Sequence, residues 1–177
     1  MAFFAQQRIG ETTSKHGPTG SDTGELAMAD QLNEFKTEQI SVFLENRAGR
    51  LSEVTHVLAE AGLNVRALSL ADTSDFGILR MILCNAKKGQ ELLKERGFTL
   101  GLTYVVAVNV DDRPGGLDEI LQLMTSKNIN VEYMYAFVTK TAQSATMIFR
   151  FDKVDEAISV LRENNIEILT SDKICVA

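Results

Sequence analysis

The sequence of 177 residues predicts an α+β protein that consists of two tandem βαββαβ modules. Three observations support this fold class. From residue 38 onward, the pattern of the chain repeats with an offset of 66 residues. Each copy opens with alternating apolar residues, which is the pattern of a half-buried strand. Each copy then continues with a turn and with apolar residues at intervals of three and four, which is the pattern of an amphipathic helix.

The first copy contains a strand and a helix, followed by two strands, a second helix and a final strand. The residues that the first strand and helix should bury are Ile40, Val42, Leu44, Leu51, Val54, Leu58 and Ala61. Gly62 should end the helix, because glycine readily adopts the left-handed conformation found there. Further strands are expected at 63–71, at 76–84 and from residue 98, and a second helix at 87–96. This second helix should be the weaker one, because Gly89 lies inside it.

The second copy repeats this order, with a turn between its middle strands that is two residues longer. The residues that its first strand and helix should bury are Val106, Val108, Val110, Leu117, Ile120, Leu121 and Met124. Asn128 should end the helix, since asparagine also tolerates the left-handed conformation. Strands are expected at 129–138, at 145–151 and from residue 166, and the second helix at 154–164.

Both copies therefore have the order of the ferredoxin-like unit, in which two helices cover one face of a four-stranded antiparallel sheet. The two sheets are expected to pair side by side, because pairing would remove exposed strand edges. We expect modules at 38–102 and 103–177, with a joint at 101–104 through which a strand could run. Residues 1–36 show no strand or helix period and are expected to be a disordered or non-native extension.

The composition excludes several classes of function. A net charge of −6 argues against binding to nucleic acid or to anionic membranes, which requires a basic surface. No apolar segment approaches the roughly 20 residues of a membrane span. Neither His16 nor His56 has further ligands at metal spacing, so no metal is expected. The sequence contains no evident nucleophile–base pair or phosphate-binding loop, so no cofactor and no enzyme activity are expected.

The two cysteines bear on the compartment of the protein. Cys84 and Cys175 both lie in apolar contexts that resemble strands. They are therefore expected to be reduced thiols in the core. Reduced thiols indicate that the protein resides in the cytoplasm.

The turn after the first strand of each copy is the candidate binding site. Its residues are Asn46, Arg47, Ala48, Gly49, Arg50 and Leu51 in the first copy, and Asp112, Arg113, Pro114, Gly115, Gly116 and Leu117 in the second. Glycine lets a ligand approach the backbone closely, and the N-terminus of the following helix suits a carboxylate. Asn64 and Asn130 open the next strands and are expected to lie near these turns. Helix capping alone would explain one such turn, but the occurrence of two favours binding.

The two turns, each followed by a helix and by Gly-Leu-Asn-Val or Asn-Ile-Asn-Val, resemble the ACT domain over about residues 38–172. The resemblance implies modules that bind amino acids and regulate metabolic enzymes. It also implies that the ligand lies between the turn of one module and the second strand of another. Asn46 and Asn64 match the asparagines that hold serine in the feedback domain of phosphoglycerate dehydrogenase. Asp112 replaces the first asparagine in the second copy, so the two sites need not be equivalent. If only one site is occupied, the Asn46 pocket is the expected one.

The resemblance thus implies a regulatory protein that binds a free amino acid and is a homodimer or the partner of a metabolic enzyme. Two alternatives stay open. The segment 40–49 is similar to the opening of the regulatory small subunit of acetolactate synthase, although the second turn argues against that subunit. A tandem-ACT regulator that binds proteins, like the glycine-cleavage repressor, is the other.

Overall fold

The computed structural model describes residues 32–72, 75–137 and 144–176, so residues 1–31 of the predicted extension 1–36 lie outside this part. The elements in chain order are β1 (Thr37–Glu45), α1 (Arg50–Glu60), β2 (Val65–Asp72), β3 (Phe76–Leu83), α2 (Ala86–Glu95), β4 (Thr99–Asp111), α3 (Gly116–Ser126), β5 (Val131–Phe137), β6 (Ser144–Phe151), α4 (Val154–Glu163), β7 (Ile168–Leu169) and α5 (Ser171–Val176). None of the helices described here is long and apolar enough to cross a membrane.

The predicted α+β fold with a repeated βαββαβ pattern is confirmed. The strands form one antiparallel sheet in the order β2-β3-β1-β4-β6-β5, and β7 pairs with β4. The 13 residues of β4 belong to both modules, because residues 99–105 pair with β1 and residues 106–111 pair with β6. The two modules are therefore joined by a shared strand that runs straight through residues 101–104.

The helices of each module cover the face of the sheet that the apolar alternation predicts. Ile40 and Val42 in the first module, and Val106 and Val108 in the second, are fully buried beneath them. The expectation for Leu51 is wrong, since its side chain is 41% exposed. Helix α1 instead turns Val54, Val57 and Leu58 toward the core, so that Leu51 remains at the rim of the first turn.

The helix ends follow the sequence prediction. Gly62 and Asn128 both have a positive φ, of 67° and 54°. Helix α2 packs closely against β3, because a Cβ at Gly89 would collide with the side chain of Leu83. The glycine inside this helix is thus explained by packing.

The helix-free faces of the two modules meet in a layer that we call the seam. Ala67 and Ile82 from the first module pack there against Ile148 from the second and against Val105 and Ala107 of β4. Tyr133 and Tyr135 pack against the same cluster. This layer gives the protein a third apolar core in addition to the two cores beneath the helices.

A fully buried glutamine crosses the seam. The Gln39 side chain donates a hydrogen bond from Nε2 to the Tyr133 hydroxyl at 2.8 Å and accepts one at Oε1 from the Tyr135 hydroxyl at 2.9 Å. The Arg80 guanidinium stacks on the Tyr133 ring, 4.1 Å from its centroid. Burial raises the pKa of Tyr135, so its hydroxyl stays protonated and donates to Gln39.

The C-terminal helix α5, which the sequence patterns do not predict, fastens the modules together. Ile174 is buried in the seam, and its carbonyl accepts a hydrogen bond from Arg66 Nε at 3.0 Å. Cys175 forms a disulfide with Cys84, whose Cα lies 5.4 Å away at the end of β3. The expectation of reduced core thiols is therefore wrong: Cys84 is exposed in a turn. The cysteines therefore give no support for a location in the cytoplasm.

The chain that precedes β1 also contacts the second module. Leu32 is buried against the core of that module, and Phe35 packs beside it. The ammonium of Lys36 lies 2.7 Å from the carboxylate of Asp155. The last residues of the predicted extension thus have fixed contacts.

We predict that Gln39→Leu destabilises the protein by about 3 kcal/mol, because the hydroxyls of the half-buried Tyr133 and Tyr135 lose their partner. Urea unfolding measures this change. The matched variant Gln122→Leu, on an exposed helix face, should change stability by less than about 0.5 kcal/mol. Adding Tyr133→Phe and Tyr135→Phe to Gln39→Leu should restore most of the loss, and an unchanged loss in this triple variant would contradict the explanation.

We also predict that reduction of the disulfide lowers the melting temperature. The bond joins residues 91 apart, and the closure of a loop of this size is worth about 4 kcal/mol. In a chain of this size that corresponds to a decrease of about 10 °C. Cys84→Ser should melt at the lower temperature with and without reductant. Free thiols titrated in the native, unreduced protein would show that the bond does not form.

Candidate functional site

No side chain caps the helices that follow the candidate turns, and their first N–H groups, on Arg50 and Gly116, donate to the Arg47 and Arg113 carbonyls at 3.4 and 3.1 Å. Gly49 and Gly115 are the N-cap residues, with φ of 92° and 91°, and neither has a side chain that could cap the helix. A Cβ at Gly49 would meet no described atom within 4 Å. Asn46 and Asp112 lie three residues ahead of these caps. Their side chains are thus not N-caps, and the explanation of the pattern by simple helix capping does not apply.

A small cleft lies beside the turn of the first module, and we call it the first-module cleft. Its volume is about 90 Å³, and its lining residues are Leu44, Glu45, Asn46, Arg47, Arg50, Leu51, Leu70 and Gly77. The Asn46 N–H donates to the Asp75 carbonyl at 2.9 Å, which fixes the backbone of the turn. The cleft thus combines a helix N-terminus, an asparagine and two exposed leucines.

Two arginines of this turn are held by two glutamates. Arg47 Nε lies 2.7 Å from the Glu45 carboxylate. Arg50 contacts the Glu53 carboxylate at 2.5 Å and the Glu45 carboxylate at 3.7 Å, while its guanidinium stacks 4.7 Å from the centroid of the Phe98 ring. The positive charges of the turn are therefore neutralised within the module. Ala48 is exposed at the tip.

The structure separates Asn64 from the turn that contains Asn46. Strand β1 aligns Leu44 with Gly77 of β3, whereas the start of β2 aligns Val65 with Leu83. Gly77 and Leu83 are six residues apart, which corresponds to about 20 Å along the strand. The expectation that Asn64 lies near the turn of its own module is therefore wrong, because helix α1 returns the chain to the opposite end of the sheet.

The same separation applies to the second module. Asn130 lies beyond the end of α3, where its N–H donates to the Asp152 carboxylate at 2.9 Å. Asp112 is exposed in the turn at the other end of that helix. Pro114 is exposed next to it, and Leu117 packs against the core of the module.

The turn of the second module has one arginine that serves two carboxylates. Arg113 Nε lies 3.3 Å from the Asp111 carboxylate, and its terminal nitrogen lies 2.6 Å from the Glu119 carboxylate. The hydrogen bond and charge of Arg113 lower the pKa of Glu119, and this pairing raises the pKa of Arg113. Both groups are therefore ionised at neutral pH.

A larger cavity of about 530 Å³ opens beside this turn, and we call it the second-module cavity. The residues that line it are Asn109, Val110, Asp111, Gly116, Glu119, Ile120, Leu123, Asn164, Asn165, Ile166 and Glu167. Of the predicted site residues, Gly116 alone appears in this lining. The cavity could not be predicted from the turns alone. One of its walls is the segment 164–167, which lies beside the second turn only in the folded chain.

Leu70 of β2 is another site residue that the sequence argument missed. Nothing in the sequence distinguishes it from a buried strand leucine, and its exposure of 47% becomes visible only in the structure. The described residues contain no group of three or more histidine, cysteine, aspartate or glutamate side chains that could hold a metal ion. What the two turns offer is recognition by hydrogen bonds and charge.

Comparison with known proteins gives a consistent family assignment. The family model described as "ACT domain pair" matches residues 35–176. A crystal structure of a protein from Bacteroides thetaiotaomicron is 36% identical, covers 80% of this chain and 97% of its own, and superposes with a TM-score of 0.76. No curated protein matches the sequence.

The regulatory subunits of aspartate kinase from two Thermus species share the fold. The Thermus thermophilus subunit is 17% identical, with a TM-score of 0.55 over 74% of this chain and 94% of its own. The Thermus flavus subunit is 16% identical, with a TM-score of 0.54 over 73% and 92%. At these identities the likeness concerns the fold alone.

Proposed function

Because this chain belongs to the family of ACT domain pairs, which are regulatory modules, we propose that it senses a free amino acid at the first-module cleft. The observation that carries the proposal is the helix N-terminus at Gly49, which no side chain caps, with Asn46 three residues ahead of it in the lining of the cleft. A helix N-terminus without a side-chain cap favours a carboxylate through its N–H groups and its dipole. The Asn46 amide can accept a hydrogen bond from an ammonium group.

The walls of the cleft suit the side chain of such a ligand. Leu51 and Leu70 are 41% and 47% exposed and both line the cleft. Apolar side chains that stay exposed beside polar groups are typical of a binding surface. The position of Leu51, which does not fit a core role, is thus explained by contact with a ligand.

The cleft of a single chain is too small to enclose an amino acid. Its volume of about 90 Å³ lies below the 300–1,000 Å³ of most ligand sites. Asn64 lies at the other end of the sheet and cannot close it. A second module must therefore provide the missing wall, and the family resemblance implies that this wall is the second strand of that module.

Strand β2 offers the surface for a second chain. It is an end strand of the described sheet, with β3 as its one hydrogen-bonded neighbour. Leu68 and Leu70 project from it and are 54% and 47% exposed. Exposed apolar edge strands tend to pair with another chain. We therefore propose a homodimer in which Asn64 of one chain approaches Asn46 of the other.

Regulation would follow from the placement of the ligand between chains. The ligand can favour one arrangement of the modules only to the extent that it binds that arrangement more tightly. An amino acid is small, so binding in the micromolar to millimolar range, about −8 to −4 kcal/mol, is expected. We also propose that the regulated partner is a metabolic enzyme and that the protein resides in the cytoplasm.

The second module is not proposed to bind in the same way. Asp112 stands there in place of the asparagine. The Arg113 guanidinium also lies close to the helix N-terminus, 3.8 Å from the position that a Cβ on Gly115 would have. A second carboxylate ligand would also lie near the Asp111 and Asp112 side chains. The first-module turn is the better carboxylate site, because its nearby carboxylates are offset by two arginines.

We predict that one or two of the twenty amino acids raise the melting temperature of the protein in a dose-dependent way. Asn46→Ala and Asn64→Ala should each weaken the response at least about tenfold, because each removes a hydrogen bond to a charged group. Thermal-shift titration measures this effect. Asn33→Ala serves as the control and should leave the response unchanged, because Asn33 is exposed, accepts a hydrogen bond from Lys36 and does not line the cleft.

A flat response to all twenty amino acids would exclude sensing at the cleft. It would favour the alternative in which the ACT pair acts by binding another protein. Loss of the response in Asn46→Ala but not in Asn64→Ala would retain the cleft and reject the proposed second wall.

We further predict that Leu68→Lys weakens self-association at least about tenfold, because it places a charge at the proposed apolar contact between edge strands. Sedimentation velocity over a range of concentrations measures the change. Leu102→Lys replaces another exposed strand leucine, on β4, and should leave association unchanged. A monomer in the unsubstituted protein, with or without the amino acid identified by thermal shift, would contradict the dimer.

A further inference from the structure

The second-module cavity has a counterpart in the first module, and the counterpart is filled. With the offset of the repeat, Gly116 corresponds to Arg50, Asp111 to Glu45 and Glu119 to Glu53. In the later part of the modules, Ile166 corresponds to Phe98. The groups that line the cavity in the second module thus surround the Arg50 side chain in the first.

The Arg50 side chain shows what this arrangement holds. Its guanidinium lies within 4 Å of both glutamates and over the Phe98 ring, 4.7 Å from the ring centroid, and the side chain is 22% exposed. Planar, delocalised cations suit such sites, because they pair with carboxylates at their edge and pack against an apolar surface with their face. The first module therefore contains a built guanidinium site that is occupied by its own residue.

The second module keeps both carboxylates but has one arginine, Arg113, where the first module has two. Gly116 has no side chain, and a Cβ at this position would collide with the Asp111 carbonyl. The second module therefore cannot place a side chain where the first module places Arg50. The space appears as the cavity of about 530 Å³, which lies within the usual range of small-molecule sites.

The charges of the cavity are incompletely balanced. Asp111 and Glu119 share Arg113, whereas Glu45 and Glu53 have two arginines. Glu167 also lines the cavity, where it accepts a hydrogen bond from Asn109 at 2.8 Å and has Lys173 at 3.8 Å. Helix α4 ends at Asn164 in the same wall, and the negative end of a helix dipole favours a cation.

We propose that the second-module cavity binds the guanidinium group of a small molecule of the size of free arginine. The guanidinium takes the place that Arg50 has in the first module, with its edge on Glu119 and its face on Ile166. Arg113 then retains its ion pair with Asp111 and gives up its ion pair with Glu119. The remaining pair corresponds to that of Arg47 with Glu45 in the first module. The proposal does not depend on the first-module cleft, since Gly116 alone is shared with the predicted turns.

Calorimetric titration of the full chain with arginine, at constant ionic strength, tests the proposal. We expect one arginine per chain at this site. Citrulline has the same shape without the charge and should bind at least tenfold more weakly. Equal binding of the two compounds, or no saturable binding of arginine up to about 10 mM, which corresponds to less than about 3 kcal/mol, would overturn the proposal.

Two matched variants locate the site. Glu119→Gln should weaken arginine binding at least tenfold, whereas Glu53→Gln, at the corresponding position of the first module, should leave it unchanged. Asn46→Ala should also leave it unchanged, so failure of the amino-acid sensor and failure of this cavity can be told apart. Equal losses in Glu119→Gln and Glu53→Gln would overturn the assignment to the cavity.

A reciprocal variant tests the comparison of the modules. Arg50→Ala should open a matching cavity in the first module and lower the melting temperature, and methylguanidine should restore it more than sodium chloride of equal strength does. The restoration should be lost in Arg50→Ala combined with Glu53→Gln. If methylguanidine does not restore the melting temperature of Arg50→Ala, the carboxylate pair does not hold a guanidinium.

If acetyl-arginine amide binds to the second-module cavity and free arginine does not, the occupant is a polypeptide and the proposal of a small molecule is wrong.

Discussion

The buried amide of Gln39 sets the relative placement of the two modules. An amide in an apolar layer requires hydrogen-bond partners, since an unpaired polar group there costs several kcal/mol. Its nitrogen donates to Tyr133, Ser41 and Thr103, and its oxygen accepts from Tyr135, so the amide favours the register in which the two helix-free faces meet. Ile174 packs in the same layer.

The seam also explains why the repeat could not remain symmetric. The counterparts of Gln39 and Ala67 are Val105 and Tyr133, so a polar position in one module corresponds to an apolar one in the other. Two identical faces would place amide against amide, or tyrosine against tyrosine. The complementary faces fit each other within one chain.

The fold was predictable from the sequence because its determinants are local. The alternation at Ile40 and Val108, and the helix ends at Gly62 and Asn128, follow from backbone conformation and burial over a few residues. The disulfide of Cys84 with Cys175 was not, because it joins positions 91 residues apart through a six-residue helix with no clear period. Likewise, the turns were found from their residues, but the distance between Asn46 and Asn64 depends on the direction in which α1 returns the chain.

The difference between the modules at Arg50 and Gly116 extends this argument from fold to function. A groove that is lined by carboxylates is stable only if cations pair with the carboxylates or water hydrates them. The first module provides the cation itself and so leaves little room beside the helix. The second module brings the Asp111 carbonyl so close to residue 116 that only glycine fits, and its groove stays open. One backbone contact therefore decides whether the groove serves the stability of the module or remains available to a ligand.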